Sequence, residues 1–220
     1  MKKVFSIMYC TIVVSTLTLS AQDFEPTLAA TLAQFEKDST IEMIAATVNR
    51  FEMIAGKWND QWLAHYYAAY GESIYTYIEK DENKRDAWLD KADIHLQQAE
   101  QLYGQESDEL FVLRALLSSA RLSVDPRNRW KEYGEIFDQN ITKAKSINPA
   151  NPRIYYLQGN SLYYTPKMFG GGPKNAMPFY EEADSLYQQM NIDSLGISPT
   201  WGKPQNTLML GNCKESVTSE

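Results

Sequence analysis

Apolar positions recur at helical spacing in nearly every segment of this chain, between glycines and prolines that mark its turns. The pattern predicts helices at 24–36, 39–56, 58–78, 86–103, 107–124, 129–147, 152–164 and 173–190. No alternating run of five or more residues indicates a strand. We therefore expect an all-α protein of about four antiparallel helix pairs, with the charged run from Glu79 to Asp86 as a solvated linker.

A pattern of three buried-type positions returns three times, with successive offsets of 45, 45 and 39 residues. Its members are Thr47/Phe51/Ile54, Ala92/Leu96/Ala99, Phe137/Ile141/Ala144 and Ala176/Tyr180/Ala183. A fixed period in this range is typical of stacked helical hairpins, because each unit buries its apolar face against its neighbours. The repeat predicts a helical-hairpin solenoid and favours a binding scaffold over an enzyme.

The last repeat resembles the tetratricopeptide family. Tyr155 stands at the bulky position of its first helix and Gly159 at the close-contact position. Ala176, Tyr180 and Ala183 follow on the second helix with the family spacing. The resemblance implies that the Tyr180 ring fills the gap that Gly159 leaves between the helices. The earlier units lack this glycine, and their period exceeds that of the family.

The whole chain is similar to exported repeat proteins common in Bacteroidota, which implies a tetratricopeptide-like domain over 22–190. Residues 191–220 are expected to form a C-terminal cap and tail. In this cap, Trp201 packs its ring against the last hairpin, and a short helix from Pro204 to Leu210 covers the open apolar face. The polar end from Asn212 to Glu220 is expected to fray.

Residues 1–21 have the pattern of a secretory signal peptide. Met1–Lys3 is basic, Val4–Leu19 is apolar and uncharged, and Ser20-Ala21 offers small residues for cleavage after either one. The apolar run is short for a membrane span and is diluted by hydroxyl side chains. Lipid attachment at Cys10 is the less favoured alternative, because the residues before it are too large for such a signal. We expect an exported, periplasmic chain without a membrane span.

Net charge and cysteine content narrow the possible partners. The chain carries a formal charge of −7, and loss of Lys2 and Lys3 leaves 19 basic residues against 28 acidic ones, or −9. This negative excess disfavours nucleic acid and anionic membranes. Only Cys213 remains after cleavage, so no intramolecular disulfide is expected and a free thiol is the simpler prediction.

Patterns of catalytic chemistry are nearly absent. His65 and His95 are the only histidines, and they lie on different repeat units without a carboxylate or cysteine at metal-ligand spacing. Neither a nucleophile elbow nor a His-Glu-x-x-His motif occurs. We predict that the protein is not an enzyme and has no catalytic residues, no metal site and no cofactor.

Two aromatic clusters supply the candidate binding residues. Trp62, Tyr66 and Tyr70 recur every four residues and form a stripe along one helix. Such stripes are usually core, yet the tyrosine pairs at 155–156 and 163–164 cannot all face inward. We expect some of these rings to line an inner groove that holds a peptide or a small ligand. The groove candidates are Trp62, Tyr66, Tyr70, Tyr155, Tyr156, Tyr163 and Phe169.

The last hairpin also contains a glycine-rich insert. The interval from 159 to 176 is 17 residues, where the family has about 12. The backbone N–H groups of Gly170, Gly171 and Gly172, together with Lys174, are candidates for binding an anion at a helix start. The alternative is a plain flexible turn, because the phosphate-loop spacing is absent.

Two functions remain open from the sequence. The first is a non-enzymatic periplasmic scaffold that binds a peptide or protein partner in its concave groove. The second is a small-ligand-binding accessory component of a periplasmic solute uptake system. An open channel of polar and aromatic residues favours the first, and a closed aromatic pocket near Tyr156 and Phe169 favours the second.

Overall fold

A computed structural model describes residues 23–191 and 194–218, so the predicted signal peptide at 1–21 lies outside the described residues. Within them the chain forms nine α-helices, one short 3-10 helix (Lys167–Phe169) and no strand, which confirms the all-α prediction. None of these helices is both long and apolar enough to cross a membrane. The helices are α1 (Phe24–Phe35), α2 (Ile41–Lys57), α3 (Trp62–Tyr75), α4 (Glu82–Tyr103), α5 (Asp108–Val124), α6 (Pro126–Ile147), α7 (Pro152–Tyr164), α8 (Pro173–Gln189) and α9 (Lys203–Thr218).

Four helices, α2, α4, α6 and α7, begin where a side chain accepts a free N–H group of the first turn. Thr40 accepts from the backbone N–H of Met43 at 3.2 Å, and Asp81 accepts from that of Lys84 at 3.0 Å. α6, α7 and α8 each carry a proline in the first turn, where its missing donor costs no hydrogen bond. Gly104 follows α4 in the left-handed conformation, with φ 74°, and stops it there.

Several predicted boundaries are wrong in the first half of the chain. Thr40 caps α2, so this helix begins at Ile41 where the sequence predicted residue 39, and it continues past Gly56 to Lys57. A single glycine costs only about 1 kcal/mol in a helix, which the packing of α2 offsets. Trp58 leaves the helical conformation and caps the end of α2, so the aromatic run predicted as one helix is divided by a turn.

The predicted linker is also partly helical. α4 begins at Glu82 because the Asp81 side chain caps it, and the charged residues up to Asp86 form its first turns. A run of charged residues is therefore not enough to predict a linker. When an N-cap residue precedes it, such a run fits an exposed helix equally well.

Successive helices pack as antiparallel neighbours from α1 to α9. In addition, α3 contacts α5 and α5 contacts α7, so these three helices form an inner row. All twelve residues of the repeated pattern are buried. The repeat of 45, 45 and 39 residues therefore marks the surfaces through which the helices pack, while the tetratricopeptide identity of the array stays a prediction.

The close contact predicted for the last hairpin is present. A Cβ atom on Gly159 would lie 2.6 Å from Cε1 of Tyr180, so only glycine fits at this position. The Tyr180 ring is fully buried, and its hydroxyl donates to Oδ1 of Asn160 at 2.8 Å. α7 and α8 are thereby held together at their middle.

The C-terminal helix is longer than predicted. α9 runs to Thr218, through the segment that was expected to fray. Asn206 donates to a backbone carbonyl of α8 at 2.9 Å, and Leu210 and Cys213 pack against α7 and α8. The cap is where the sequence placed it, although Leu208 faces solvent and Cys213 takes its place in the core as a buried free thiol.

Candidate functional site

The helices of the inner row share one continuous surface, which we call the inner face. At their N-terminal turns, Tyr66 of α3, Glu109 of α5 and Arg153 of α7 meet; we call this the closed end. Just past the C-terminal turns, Tyr77, which follows α3, lies near Tyr164 of α7; we call this the open end. The sequence places the tyrosines of α3 there because residues 66, 70 and 77 fall on one side of a helix.

The chain's own segment 194–202 covers the closed end. The Trp201 ring stacks on that of Tyr70, with centroids 4.9 Å apart, and its Nε1 donates to the Tyr66 hydroxyl at 2.9 Å. Tyr66 and Tyr70 are accordingly buried. These two predicted groove residues therefore contact a segment of their own chain. Trp201 packs mainly on α3 and α7, where the sequence predicted a contact with the last hairpin alone.

The backbone of this segment is held as well. The Tyr67 hydroxyl donates to the carbonyl of Ile197 at 3.0 Å, and the Tyr187 hydroxyl donates to that of Trp201 at 2.9 Å. A Cβ atom on Gly202 would lie 2.2 Å from the Tyr187 hydroxyl, and its φ of 103° also requires glycine. The inner face thus already binds a segment of the protein's own chain.

An ion pair lies under Trp201. The Arg153 side chain is only 3% exposed, and its Nε donates to Oε2 of Glu109 at 3.1 Å while Nη2 donates to Oε1. Asn151 donates to the same carboxylate at 2.9 Å. The guanidinium carbon is 5.6 Å from the Trp201 ring centroid. Both charges are largely removed from solvent, so each one offsets the hydration that the other has lost.

A cleft of about 380 Å³ opens beside this ion pair. Among the residues that line it are Trp62, Tyr103, Asp108, Asn151, Arg153 and Met190. Trp62, another predicted groove residue, stacks edge-on against Tyr103 there, with centroids 4.8 Å apart. Because Asp108 and Glu109 outnumber the one guanidinium, the cleft is acidic and unsuited to an anionic ligand.

The open end exposes its aromatic rings. Tyr164 is 75% exposed and Tyr77 is 45% exposed. Their hydroxyl groups are close enough to interact electrostatically, and that of Tyr156 is near both. Burial raises the pKa of Tyr77 to about 12 although much of its ring faces solvent. The hydroxyl of Tyr77 is therefore buried, near Ser119, while much of its ring lies at the surface.

A guanidinium group lies near the Tyr77 hydroxyl. Arg85 interacts electrostatically with the Tyr77 hydroxyl, and its Nη2 donates to Oγ of Ser123 at 2.6 Å. The Nε atom of Arg85 is buried and has no hydrogen-bond partner within the protein. A buried donor of this kind is satisfied by an acceptor such as a ligand carboxylate.

The remaining groove candidates, Phe169, Tyr163 and Tyr155, lie in three different places on and just after α7. Phe169 is 72% exposed on the 3-10 turn that directly follows the open end. Tyr163 packs toward α9, and Tyr155 faces α6, where its hydroxyl donates to the Pro149 carbonyl at 3.0 Å. Tyr155 is thus not on the inner face. Tyr77 and Tyr164 were not among the groove candidates, although the helical spacing from Tyr66 and from Tyr156 indicates both.

The glycine-rich loop does not present an anion cradle. The N–H groups of Gly170, Gly171 and Gly172 all donate to carbonyl oxygens between residues 162 and 167, at 2.8 to 3.3 Å. These donors are therefore used within the loop, which speaks against the predicted anion site at the glycines and the exposed Lys174. Gly171 is needed for space, since a Cβ atom would lie 2.0 Å from the Thr165 carbonyl oxygen.

The two histidines, which lie on different helices, are in contact with each other. His65 Nδ1 and His95 Nδ1 lie 2.9 Å apart between α3 and α4. One ligand atom each of Glu52, Glu72 and His95 lie within 4.8 Å of one another in the same place. The sequence spacing hid this cluster because an antiparallel hairpin brings together residues that are 30 positions apart.

No family model matches the chain, and no curated protein matches it. Among solved structures it is similar to the HusA haemophore from Porphyromonas gingivalis, with 33% sequence identity and a TM-score of 0.73. The similarity covers 92% of this chain and 96% of that chain. It therefore concerns the whole fold and not a single hairpin.

Proposed function

Because this chain belongs to the same family as the HusA haemophore, we propose that it is a non-enzymatic haem-binding protein. The observation that carries the proposal is the 33% identity over 92% of this chain and 96% of that one. A haemophore is by its name a haem carrier, and carriage requires binding without chemistry. The predicted export signal fits a periplasmic carrier of this kind.

We place the haem at the open end of the inner face. Haem is a flat apolar macrocycle with two carboxylates at one edge, so it needs aromatic contact area and a cation. Tyr77 and Tyr164 offer exposed rings, and Arg85 offers an unpaired donor for a carboxylate. The closed end is less suited, because Trp201 covers Tyr70, Arg153 already pairs with Glu109, and the cleft beside them is acidic.

The phenol oxygen of Tyr164 is the iron ligand in this proposal. Proteins hold haem iron with His, Cys, Met or Tyr side chains. Both histidines of the chain lie in the cluster between α2, α3 and α4, away from the inner face. Tyr164 is the more exposed of the two open-end tyrosines and lies beside the turn that carries Met168 and Phe169. Those two side chains would cover the other parts of the macrocycle.

Of the two functions that the sequence left open, family membership supports the small-ligand alternative. A peptide or protein partner in the groove would compete with segment 194–202, which already occupies the closed end through Trp201 and two backbone carbonyls. The peptide function therefore stays a prediction, and a link to a solute uptake system is part of the proposal only as haem uptake.

The test is a haem titration followed by the Soret absorbance band. We expect the wild-type chain to bind haem with one-to-one stoichiometry. Tyr164→Ala should weaken binding by about tenfold or more, which corresponds to about 1.4 kcal/mol and is in the range of one lost aromatic contact. Tyr164→Phe should keep most of the affinity but shift the Soret band, because it removes only the oxygen ligand.

Tyr155→Phe is the matched control for the Phe variant. It is the same change on the same helix, but Tyr155 faces α6 and its hydroxyl bonds to the Pro149 carbonyl. We expect its Soret band and affinity to equal those of the wild type. Absence of haem binding by the wild-type chain would refute the function. Equal spectra for Tyr164→Phe and the wild type would refute Tyr164 as the ligand while leaving the function standing.

A further inference from the structure

Glu72 is a carboxyl group buried without a partner. It lies on α3, its side chain is fully inaccessible to solvent, and neither of its oxygens has a hydrogen bond. Burial raises its pKa to about 9, because the loss of water and the neighbouring Glu52 carboxylate outweigh the attraction of Lys91. Leaving such a group unpaired costs several kcal/mol, which a protein rarely retains without a use.

A chain of hydrogen bonds determines which ring nitrogen of each histidine carries the hydrogen. Nε2 of His65 lies 3.3 Å from the carbonyl oxygen of Asn59, which only accepts, so this nitrogen carries the hydrogen. Nδ1 of a neutral His65 is then an acceptor, and it receives the N–H of His95 Nδ1 at 2.9 Å. The remaining nitrogen of His95, Nε2, is left with a free lone pair.

That lone pair faces the unpartnered carboxyl. Nε2 of His95 is 3.9 Å from Oε1 of Glu72, and a carboxylate oxygen of Glu52 lies with them, all three atoms within 4.8 Å. The three groups come from α4, α3 and α2 in turn. Three electron-pair donors that converge in a largely buried place repel one another unless a cation or a proton lies between them.

We propose that Glu52, Glu72 and His95 form a binding site for a divalent transition-metal ion of the Zn²⁺ class. One imidazole nitrogen, two carboxylate oxygens and a water make up the tetrahedral set that Zn²⁺ accepts. His65 acts as the positioning residue, because it accepts the other N–H of His95 as outer partners of zinc ligands do. This site is separate from the inner face and does not depend on haem binding.

One positive charge competes for the site. The ammonium of Lys91 lies 2.6 Å from Oε1 of Glu52 and 4.4 Å from the centroid of the Trp88 ring. Its side chain is 50% exposed, so it can turn into solvent when a metal ion takes the carboxylate. Binding of the ion then exchanges a weak, exposed ion pair for a buried metal contact.

The test is titration of the chain, free of a histidine tag, with Zn²⁺ by isothermal calorimetry, and with Co²⁺ by visible absorbance. We expect one Zn²⁺ per chain, a higher melting temperature with Zn²⁺, and the absorption bands of tetrahedral Co²⁺. Glu72→Gln keeps the shape of the side chain and should abolish these effects. His65→Phe should weaken binding by about 10- to 100-fold, as loss of an outer partner does.

Glu79→Gln, which alters a carboxylate at the start of the predicted linker, is the matched control and should bind Zn²⁺ like the wild type. Circular dichroism of each variant without metal checks that it folds, and its haem titration should be unchanged. Zn²⁺ binding that survives in Glu72→Gln would contradict the proposal, as would absence of binding by the wild type. In the latter case a proton shared by Glu52 and Glu72 takes the place of the metal ion.

Discussion

At the closed end of the inner face, Tyr66 and Tyr70 are buried under Trp201; at the open end, Tyr77 and Tyr164 are exposed to solvent. All four are tyrosines at helical spacing on the same inner row. Their different exposure comes from segment 194–202, which returns from the far end of the chain to cover one end only. A stripe of tyrosines is therefore core or binding surface according to what lies over it.

The two ends also differ in their electrostatics. The closed end holds an ion pair, Glu109 and Arg153, joined by two hydrogen bonds, with Asn151 as a further donor and with Nη1 of Arg153 left without a partner. The open end holds Arg85 with a buried Nε that the protein leaves unpaired. The first arrangement stabilises the fold, and the second is suited to an outside carboxylate. Variants at the two ends should therefore separate stability from haem binding.

The largest effect is expected at the closed end from Arg153→Met. The change leaves the Glu109 carboxylate buried without its guanidinium, and breaking a buried pair in this way costs about 3–5 kcal/mol. We expect the free energy of unfolding in urea to fall by that amount, as followed by circular dichroism. The double variant Arg153→Met with Glu109→Gln should recover more than half of the loss. A loss below about 1 kcal/mol in the single variant would show that water already stabilises this carboxylate.

A smaller loss of stability is expected from Trp201→Ala. The ring contacts Tyr66, Tyr70 and Arg153, and removal of a large aromatic side chain from packed surroundings costs about 3 kcal/mol. Urea unfolding measures the loss, and haem affinity should change by less than about threefold because the open end is untouched. Trp130→Ala is the control, since that ring is 63% exposed on α6 and should cost less than about 0.5 kcal/mol. A Trp201→Ala chain that loses haem binding while still folded would place the ligand at the closed end.

Local signals were enough to predict α7 and, to within one residue, α8. α7 runs from Pro152 to Tyr164 as predicted, because Pro149 and Pro152 permit only one start. The contact of Gly159 with Tyr180 also followed from spacing, since helix packing requires a small residue opposite a ring. In the first half, adjacent Ser39 and Thr40 both have capping side chains, and only the tertiary structure selects between them.

Contacts between distant segments could not be predicted from the sequence. Tyr66 and Trp201 are 135 positions apart, and nothing in the local pattern indicates that one covers the other. The contact of His65 with His95 was hidden for the same reason, because hairpin geometry and not spacing decides it. The aromatic candidates were placed on the correct helices, but their exposure depends on the path of the whole chain.

The smallest effect is expected from Phe169→Ala, on the turn next to the open end. The ring is 72% exposed, so its removal should change the free energy of unfolding by less than about 0.5 kcal/mol. In the proposed complex it covers one edge of the macrocycle, and we expect haem affinity to fall about threefold by the Soret titration. Met53→Ala, at a 66% exposed position on α2, is the control and should leave the affinity unchanged.

For Phe169→Ala, the direction of the change in haem affinity is more informative than its size. A side chain that is exposed without a ligand contributes almost nothing to folding, so any loss of affinity reports contact with haem directly. If Phe169→Ala binds haem as the wild type does while Tyr164→Ala does not, the macrocycle extends from Tyr164 toward Tyr77 and Arg85 and away from the turn. If both variants lose affinity, the turn is part of the site, and the open end continues past α7.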